Sequence, residues 1–582
     1  MYRALPAIPL VLVVVFTIAS SQASGLEGSK FREAVRSDGG VVASESPDAS
    51  HIGLQVLDDG GNAVDAAVAA TFALGVARPQ SCGIGGGGFM VYRGADGEAA
   101  ALDFREAAPE AIEPDAFAGS GIYAAYTGHK TVGVPGTVAG MQEALDAYGS
   151  LPLAEAIAPA EQLARDGIEV SEALSEEMGN NAERLRLFPE AAQQFLVGGE
   201  DPYEPGSTLT QPRLADTLAL ISRDGTESFY KGAIADRVVK DMQEAGDYPG
   251  DEGLLTEEDL AAYRAVWREP LTGDYRGTEI IAMPPPTSGG VAIIEMLNIL
   301  EGYNLEAEGQ SSADALHQIA EAQKLAFADR EEYVADPDFV DVPTERLTDK
   351  TYAEDRRAEI DAEKAGSYGP GEPGENPESS TTHLSVIDAA GNAVSLTCTI
   401  EQSFGSAVVA PGTGFLLNNE LTDFSGPGTP NEPEPAKRPR SSISPTIVVE
   451  DGEPVLVVGS AGGARIIMGT LFAIINTVDF ELDPARAVDA ERLDQQPEAK
   501  MTLEDGRVSP TVQGELKGRG HKIERKGEYD ERPRVQAAGI DRETGERLAA
   551  TDPRSGQQDS AGQRMRELPK SGGVPLPNIG GS

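Results

Sequence analysis

Residues 374–399 read "GENPESSTTHLSVIDAAGNAVSLTCT", and this stretch decides the fold. Its first residues are rich in Gly, Pro, Glu and Ser, the composition of an exposed linker. From Thr381 the pattern changes. "THLSVID" alternates, "AAGN" turns and "AVSLTCT" alternates back, as in a β-hairpin. A loop over 388–392, centred on residue 390, puts Thr381 opposite Thr399. Cross-strand partners have Cβ atoms ~5 Å apart. Two threonines therefore share one sheet face at the mouth of the hairpin, directly after a segment open to bending or cutting.

A threonine hydroxyl is a weak nucleophile and needs an adjacent base. The chain has five histidines, and His383 lies two residues from Thr381 on the same strand face. It is one candidate base. The other is Thr381 itself. Cutting the Ser380–Thr381 bond would free an α-amine with a reference pKa of ~7.7–8.0, suited to general-base work near neutral pH. A plain Thr-rich strand fits the same spacing, since Thr favours strands. Spacing alone leaves these readings open.

The 582 residues suffice for one large fold or several domains, and 40% hydrophobic content for a real core. Forty-seven basic residues stand against 95 acidic ones, a net charge of −48 spread along the chain. Such a surface repels nucleic acid and anionic membrane, so neither is expected as a partner. It suits high salt, where screening relieves self-repulsion. The N-terminus, "MYRALPAIPLVLVVVFTIASSQASG", has a basic start, a short apolar run and a small-residue site ending at Ala23. Residues 1–23 read as a signal peptide, which makes the mature protein exported, periplasmic or extracellular, with no membrane partner once it is removed; an uncleaved anchor is the alternative reading, for which the apolar run is short. Cys82 and Cys398 are the only cysteines. They cannot build a disulfide framework, and whether they pair is open.

Asp48 and Asn62 read as helix N-caps, and "AVDAAVAATFALGV" as a buried helix stopped at Arg78-Pro79. "SCGIGGGGFMVYR" has no Lys-Ser/Thr after its glycines, so it is no phosphate-binding loop. Positive φ and close backbone approach are expected there instead. A strand "AAALDFRE" ends in Arg105, and residues 130–330 are mostly helical. "LTGDYRGTEIIAMPPPTSGG" reads as a strand leading into a loop, residues 361–380 as the linker and 556–582 as a disordered tail.

Several ordered motifs then speak together: "TTHLSVIDAAGNAVSLTCTIEQSFGS", "GTGFLLNNELTDFS", "KRPRSSISPTIV", "GSAGGARII", and upstream "LDFREAAP", "GVPGTVAGM" and "AEAQKLAFADR", with "DPRSG" near the end. This set closely resembles the gamma-glutamyltransferase family, the glutathione hydrolase proenzymes. The resemblance implies an α+β fold, the four-layer αββα sandwich of N-terminal nucleophile hydrolases. It implies one cut into residues 24–380 and 381–582, large and small subunits of one heterodimer. Thr381 matches the nucleophile and Thr399 its supporting hydroxyl. Gly462 and Gly463 match the oxyanion-hole pair. Arg105, Ser441 and Ser442 match the groups that take the substrate α-carboxylate; Glu401, Glu420 and Asp423 match those that take its ammonium. The implied substrates are glutathione and other γ-glutamyl compounds, with water, amino acids or dipeptides as acceptors, and no metal or cofactor. Only 13 residues, "FSGPGTPNEPEPA", separate Asp423 from Lys437, with four prolines and no Tyr or Trp, which resembles the lidless members. An acylase on the same scaffold and a non-enzymatic amino-acid-binding protein remain as rivals.

Overall fold

The hairpin forms in the computed structural model. Strands Ser379–Ile387 and Ala393–Gln402 pair antiparallel, with Thr381 opposite Thr399 and Thr382 opposite Cys398. Asp388 anchors the turn: its Oδ1 accepts from the N–H of Ala390 (2.9 Å) and of Asn392 (3.0 Å). Gly391 turns the chain at φ +94°, a conformation that costs glycine little. The structure describes residues 31–117, 126–244, 253–368, 379–497, 499–529, 533–555 and 559–562. The signal-peptide reading (1–23), residues 369–378 of the linker and 563–582 of the tail lie outside them.

The hairpin sits in the middle of a seven-stranded antiparallel sheet. Its order is Asp559–Gly562, Val41–Ser44, Ser379–Ile387, Ala393–Gln402, Gly87–Arg93, Ala99–Asp103, Val266–Arg268. A second antiparallel sheet of seven runs Val35–Ser37, Arg547–Thr551, Arg534–Ile540, Glu453–Ala461, Thr446–Glu450, Thr278–Ala282, Leu271–Tyr275. The sheets stack face to face through an apolar layer that includes Val41, Phe89, Val91, Ile447, Val457 and Ala538. Helices Pro47–Asp58, Ala63–Ala77 and Thr137–Tyr148 cover the first sheet; Gly289–Leu300, Ile466–Val478 and Pro484–Asp489 cover the second. This is the expected αββα sandwich, and residues 32–582 form one compact unit.

Helix Ala63–Ala77 shows how sequence sets the layering. Asn62 caps it with a full capping box, worth about 1 kcal/mol. It is buried on nearly every side because it lies between the sheet and helices Pro47–Asp58 and Leu153–Asp166. An Ala-rich sequence permits that close approach. Behind it, a Cβ on Gly85 would sit 2.1 Å from the Leu416 carbonyl, and one on Gly86 2.0 Å from that of Thr399. Close approach is therefore what these two glycines serve, while Gly88 of the same run combines φ +158° with a Cβ position 2.1 Å from the Thr397 carbonyl.

Three readings need correction. The first helix is capped by Ser46, with Pro47 at its first position, so Asp48 lies inside its first turn. The 271–290 segment is a hairpin, Leu271–Tyr275 with Thr278–Ala282, rather than one strand. In the supposed tail, residues 559–562 form an edge strand paired with Val41–Ser44, satisfying backbone groups of the first sheet that a disordered tail would leave bare. Among the described residues no helix is long and apolar enough to cross a membrane.

Candidate active site

Thr381 lies at the start of its strand, nearly inaccessible, with its Oγ 3.2 Å from the Oγ of Thr399. Thr399 Oγ also accepts the N–H of Glu401 (2.9 Å), which fixes its rotamer. The register shifts between Ser379 and Thr381, since Ser379 lies opposite Gln402. The partner strand takes up the extra residue, and Glu401 there has φ +76°, unusual for a non-glycine residue. The bulge thus falls at Glu401, two residues after Thr399. On the other side, Ser380 Oγ and Ser81 Oγ lie 2.7 Å apart.

His383 is not placed as a base for Thr381. Its Nδ1 bonds Thr397 Oγ (2.7 Å) and its Nε2 bonds Ser385 Oγ (3.0 Å). Burial pushes its pKa down to about 3, so it stays neutral at working pH. Of the two candidate bases, the α-amine of Thr381 is the one left.

Strand Glu453–Ala461 ends in Gly462 (φ +140°) and Gly463 (φ +64°), conformations only glycine adopts without strain. The turn packs beside the strand that carries Thr381 and leads into helix Ile466–Val478.

Arg105 follows strand Ala99–Asp103 and is fully buried. Its Nη1 pairs with Glu420, and its Nη2 with Asp423 Oδ2 (2.5 Å). Its Nε donates to the Pro439 carbonyl (3.3 Å) and Nη2 also to that of Arg440 (3.4 Å). Burial works against its charge, but Glu420, Asp423 and Glu106 outweigh it and hold the guanidinium above its ordinary pKa. Burial likewise pushes Glu420 well up despite Arg105, with Glu106, Asp423 and Glu401 adding to the rise. Asp423 is the partly exposed member of the group.

Ser441 and Ser442 lie on the chain just after Arg440. Ser441 Oγ accepts the N–H of Ile443 (3.1 Å), and its carbonyl accepts from Ser288 Oγ (2.6 Å). Ser442 Oγ accepts from Arg330 Nη2 (3.1 Å). The structure thus gathers Arg105, Glu420 and Asp423 directly, reaches Ser441 and Ser442 through the 439–442 backbone, and puts Glu401 beside Thr399.

Sequence reasoning missed three residues here. Glu106, next to Arg105, is fully buried, and burial raises its pKa to about 8 against the pull of Arg105. Arg330, at the end of helix Ala313–Tyr333, holds both Ser442 and, through Nε, Ser288 Oγ (2.8 Å). Asn418 Oδ1 accepts from the N–H of Glu420 (3.0 Å) and of Gly133 (2.9 Å), and its Nδ2 donates to Gly85. It ties the Glu420 loop to the glycine run. All three sit in or beside quoted motifs, but only their contacts reveal their part.

The Asp423–Lys437 connection is short and pinned. Asn431 Nδ2 donates to the Asp423 carbonyl (2.8 Å), its Oδ1 accepts from Arg440 N–H (2.8 Å), and Lys437 Nζ donates to the Pro430 carbonyl (2.9 Å). Elsewhere, ligand atoms of His317, Glu321 and His521 lie within 4.8 Å of one another. Lys324 Nζ already occupies Glu321 Oε1 (2.7 Å), Tyr368 Oη occupies Oε2 (2.6 Å), and the two imidazoles bond each other (2.8 Å). Both Glu321 oxygens and three of the four ring nitrogens are thus engaged within the protein, His317 Nε2 by the Asp361 carbonyl (2.9 Å), and His521 Nδ1 is the buried atom without a hydrogen-bond partner.

A family model described as gamma-glutamyltranspeptidase matches residues 49–562. The chain is 42% identical over 558 residues to a protein of Escherichia coli (strain K12) named glutathione hydrolase proenzyme, covering 92% of this chain and 94% of that one. Among solved structures, a cephalosporin acylase from Bacillus halodurans superposes with a TM-score of 0.84 at 32% identity, over 95% of this chain and all of the other. A Helicobacter pylori gamma-glutamyltranspeptidase chain superposes with a TM-score of 0.54 at 38% identity, over 60% of this chain and 98% of its own. The chain belongs to the gamma-glutamyltranspeptidase family of N-terminal nucleophile hydrolases: it is a self-processing enzyme of γ-glutamyl transfer and hydrolysis.

Proposed function

We propose that Thr381 carries both steps of this activity. In the precursor its Oγ attacks the Ser380 carbonyl, the peptide nitrogen leaves as an amine, and water opens the resulting ester. The products are residues 24–380 and a small subunit that begins at Thr381. The freed α-amine then takes the Oγ proton as Oγ attacks the γ-carbonyl of glutathione or a related compound. Backbone N–H groups at Gly462 and Gly463 stabilise the oxyanion. The amine returns its proton to the leaving cysteinylglycine, and water or an amino acid or dipeptide resolves the γ-glutamyl ester.

The single observation that carries this reading is the Thr381–Thr399 pair, 3.2 Å apart and directly beyond the linker. The buried acids around Arg105 give it its substrate. Arg105, with Ser441 and Ser442, takes the α-carboxylate; Glu401, Glu420 and Asp423 take the ammonium. On entry the substrate exchanges with the Arg105 ion pairs to Glu420 and Asp423. An acylase reading has the cephalosporin acylase likeness in its favour. A glutaryl group has no α-amine, however, and brings no ammonium for Glu420 and Asp423 to hold. The short pinned 423–437 connection supports an open, lidless site where water competes well for the ester. Export rests on residues 1–23, and adaptation to salt on the charge of −48.

Thr381→Ala tests the reading. A single full-length chain without activity is expected; two chains would mean that another agent makes the cut.

A further inference from the structure

Cys82 and Cys398 are joined, with Cα atoms 5.5 Å apart and both side chains buried. The bridge connects positions 316 residues apart in sequence. Cys82 lies before the Ser380–Thr381 bond and Cys398 after it. We propose that this disulfide is a staple across the processing point, so that the mature enzyme is two chains in one covalent molecule. The inference rests on the cut proposed above.

The bridge sits at the site itself. Cys398 is opposite Thr382 and precedes Thr399, the residue facing Thr381. Cys82 follows Ser81, whose Oγ lies 2.7 Å from Ser380 Oγ. One turn of the large subunit is therefore bonded covalently to the supporting strand and by hydrogen bond to the residue that becomes the new C-terminus. With only two cysteines in the chain, no exchange partner competes for either.

The consequence lies in refolding. Strands from both sides of the cut alternate in the first sheet, since Val41–Ser44 and Gly87–Arg93 flank the hairpin. Without the bridge, native packing alone would hold the two chains together. Once unfolded, unlinked chains must find each other, and recovery depends on concentration. A staple keeps that search within one molecule.

The test begins with enzyme purified without reductant and alkylated before denaturation. On a denaturing gel, one species without reductant and two with it are expected. Two species in both lanes overturn the staple. One species in both lanes means no cut, which overturns the processing reading and leaves the bridge nothing to join. Mass mapping of an unreduced digest reports the bridge independently: a peptide pair linking residues 82 and 398 is expected, and two alkylated cysteines contradict it. Finally, activity regained after dilution from denaturant should be independent of protein concentration for the native chain. For the double variant Cys82→Ala/Cys398→Ala it should fall several-fold on tenfold dilution. Concentration dependence already present in the native chain contradicts the proposal.

Discussion

Two of the buried clusters of arginine and carboxylate among the described residues are built differently. The first surrounds Arg554 of the "DPRSG" motif. Arg554 bonds Glu504 through Nε and Nη2 (2.6 Å each) and Asp552 through Nη1 (3.0 Å), while Arg492 bonds the second oxygen of Asp552 (2.5 Å). Burial would raise the Asp552 carboxyl, but Arg492 and Arg554 hold it below its ordinary value. Charges balance and all four carboxylate oxygens are engaged. The second cluster surrounds Arg105, where one guanidinium faces Glu106, Glu420 and Asp423. Burial leaves Glu106 and Glu420 shifted up rather than down. A balanced cluster cements a fold; an acid-rich one has room for another cation, and a substrate ammonium is one.

The largest expected effect breaks the balanced cluster. Asp552→Ala takes the carboxylate partner from buried Arg492 and leaves Arg554 with Glu504 alone, a loss of about 3–5 kcal/mol. Thermal melting should drop by several degrees, while KM for a γ-glutamyl anilide stays unchanged in the remaining folded enzyme. Arg105→Lys attacks the other cluster. A point charge does not replace the planar fork, so KM should rise on the order of 10- to 100-fold. Melting should move less than in Asp552→Ala. An unchanged KM would remove Arg105 from the site.

A third effect concerns pH. The Glu106 pKa rises on folding from 4.5 to about 8, so the folded state binds its proton more tightly. Its contribution to stability is fully present below the unfolded pKa and is lost as pH rises toward about 8. Melting temperature should therefore decline across that window, and Glu106→Gln should flatten the decline. An equal slope in the variant would show that another group titrates there.

The hairpin was legible because an antiparallel pair with a short turn has one register once its centre is known, and Asp388, Gly391 and Asn392 mark that centre. Thr399 could be paired with Thr381 from spacing alone. The bulge at Glu401 could not be read, because a positive φ at a non-glycine residue reflects tertiary override of local preference. The same holds for the Cys82–Cys398 bridge and the edge strand 559–562, whose partners lie hundreds of residues away. Arg105 and its acids were assigned through family resemblance. Composition treats each of them as surface charge, and only the fold shows that Arg105 and Glu420 are buried together.

The central claim is that Thr381 becomes an N-terminus and then carries the acyl group. The most direct test is the mass of the smaller chain, reduced and denatured, after rapid mixing with a γ-glutamyl anilide and acid quench. A chain beginning at Thr381, heavier by one γ-glutamyl group on its first peptide, is the predicted result. A chain that begins elsewhere, or one that takes the group on another residue, would contradict it.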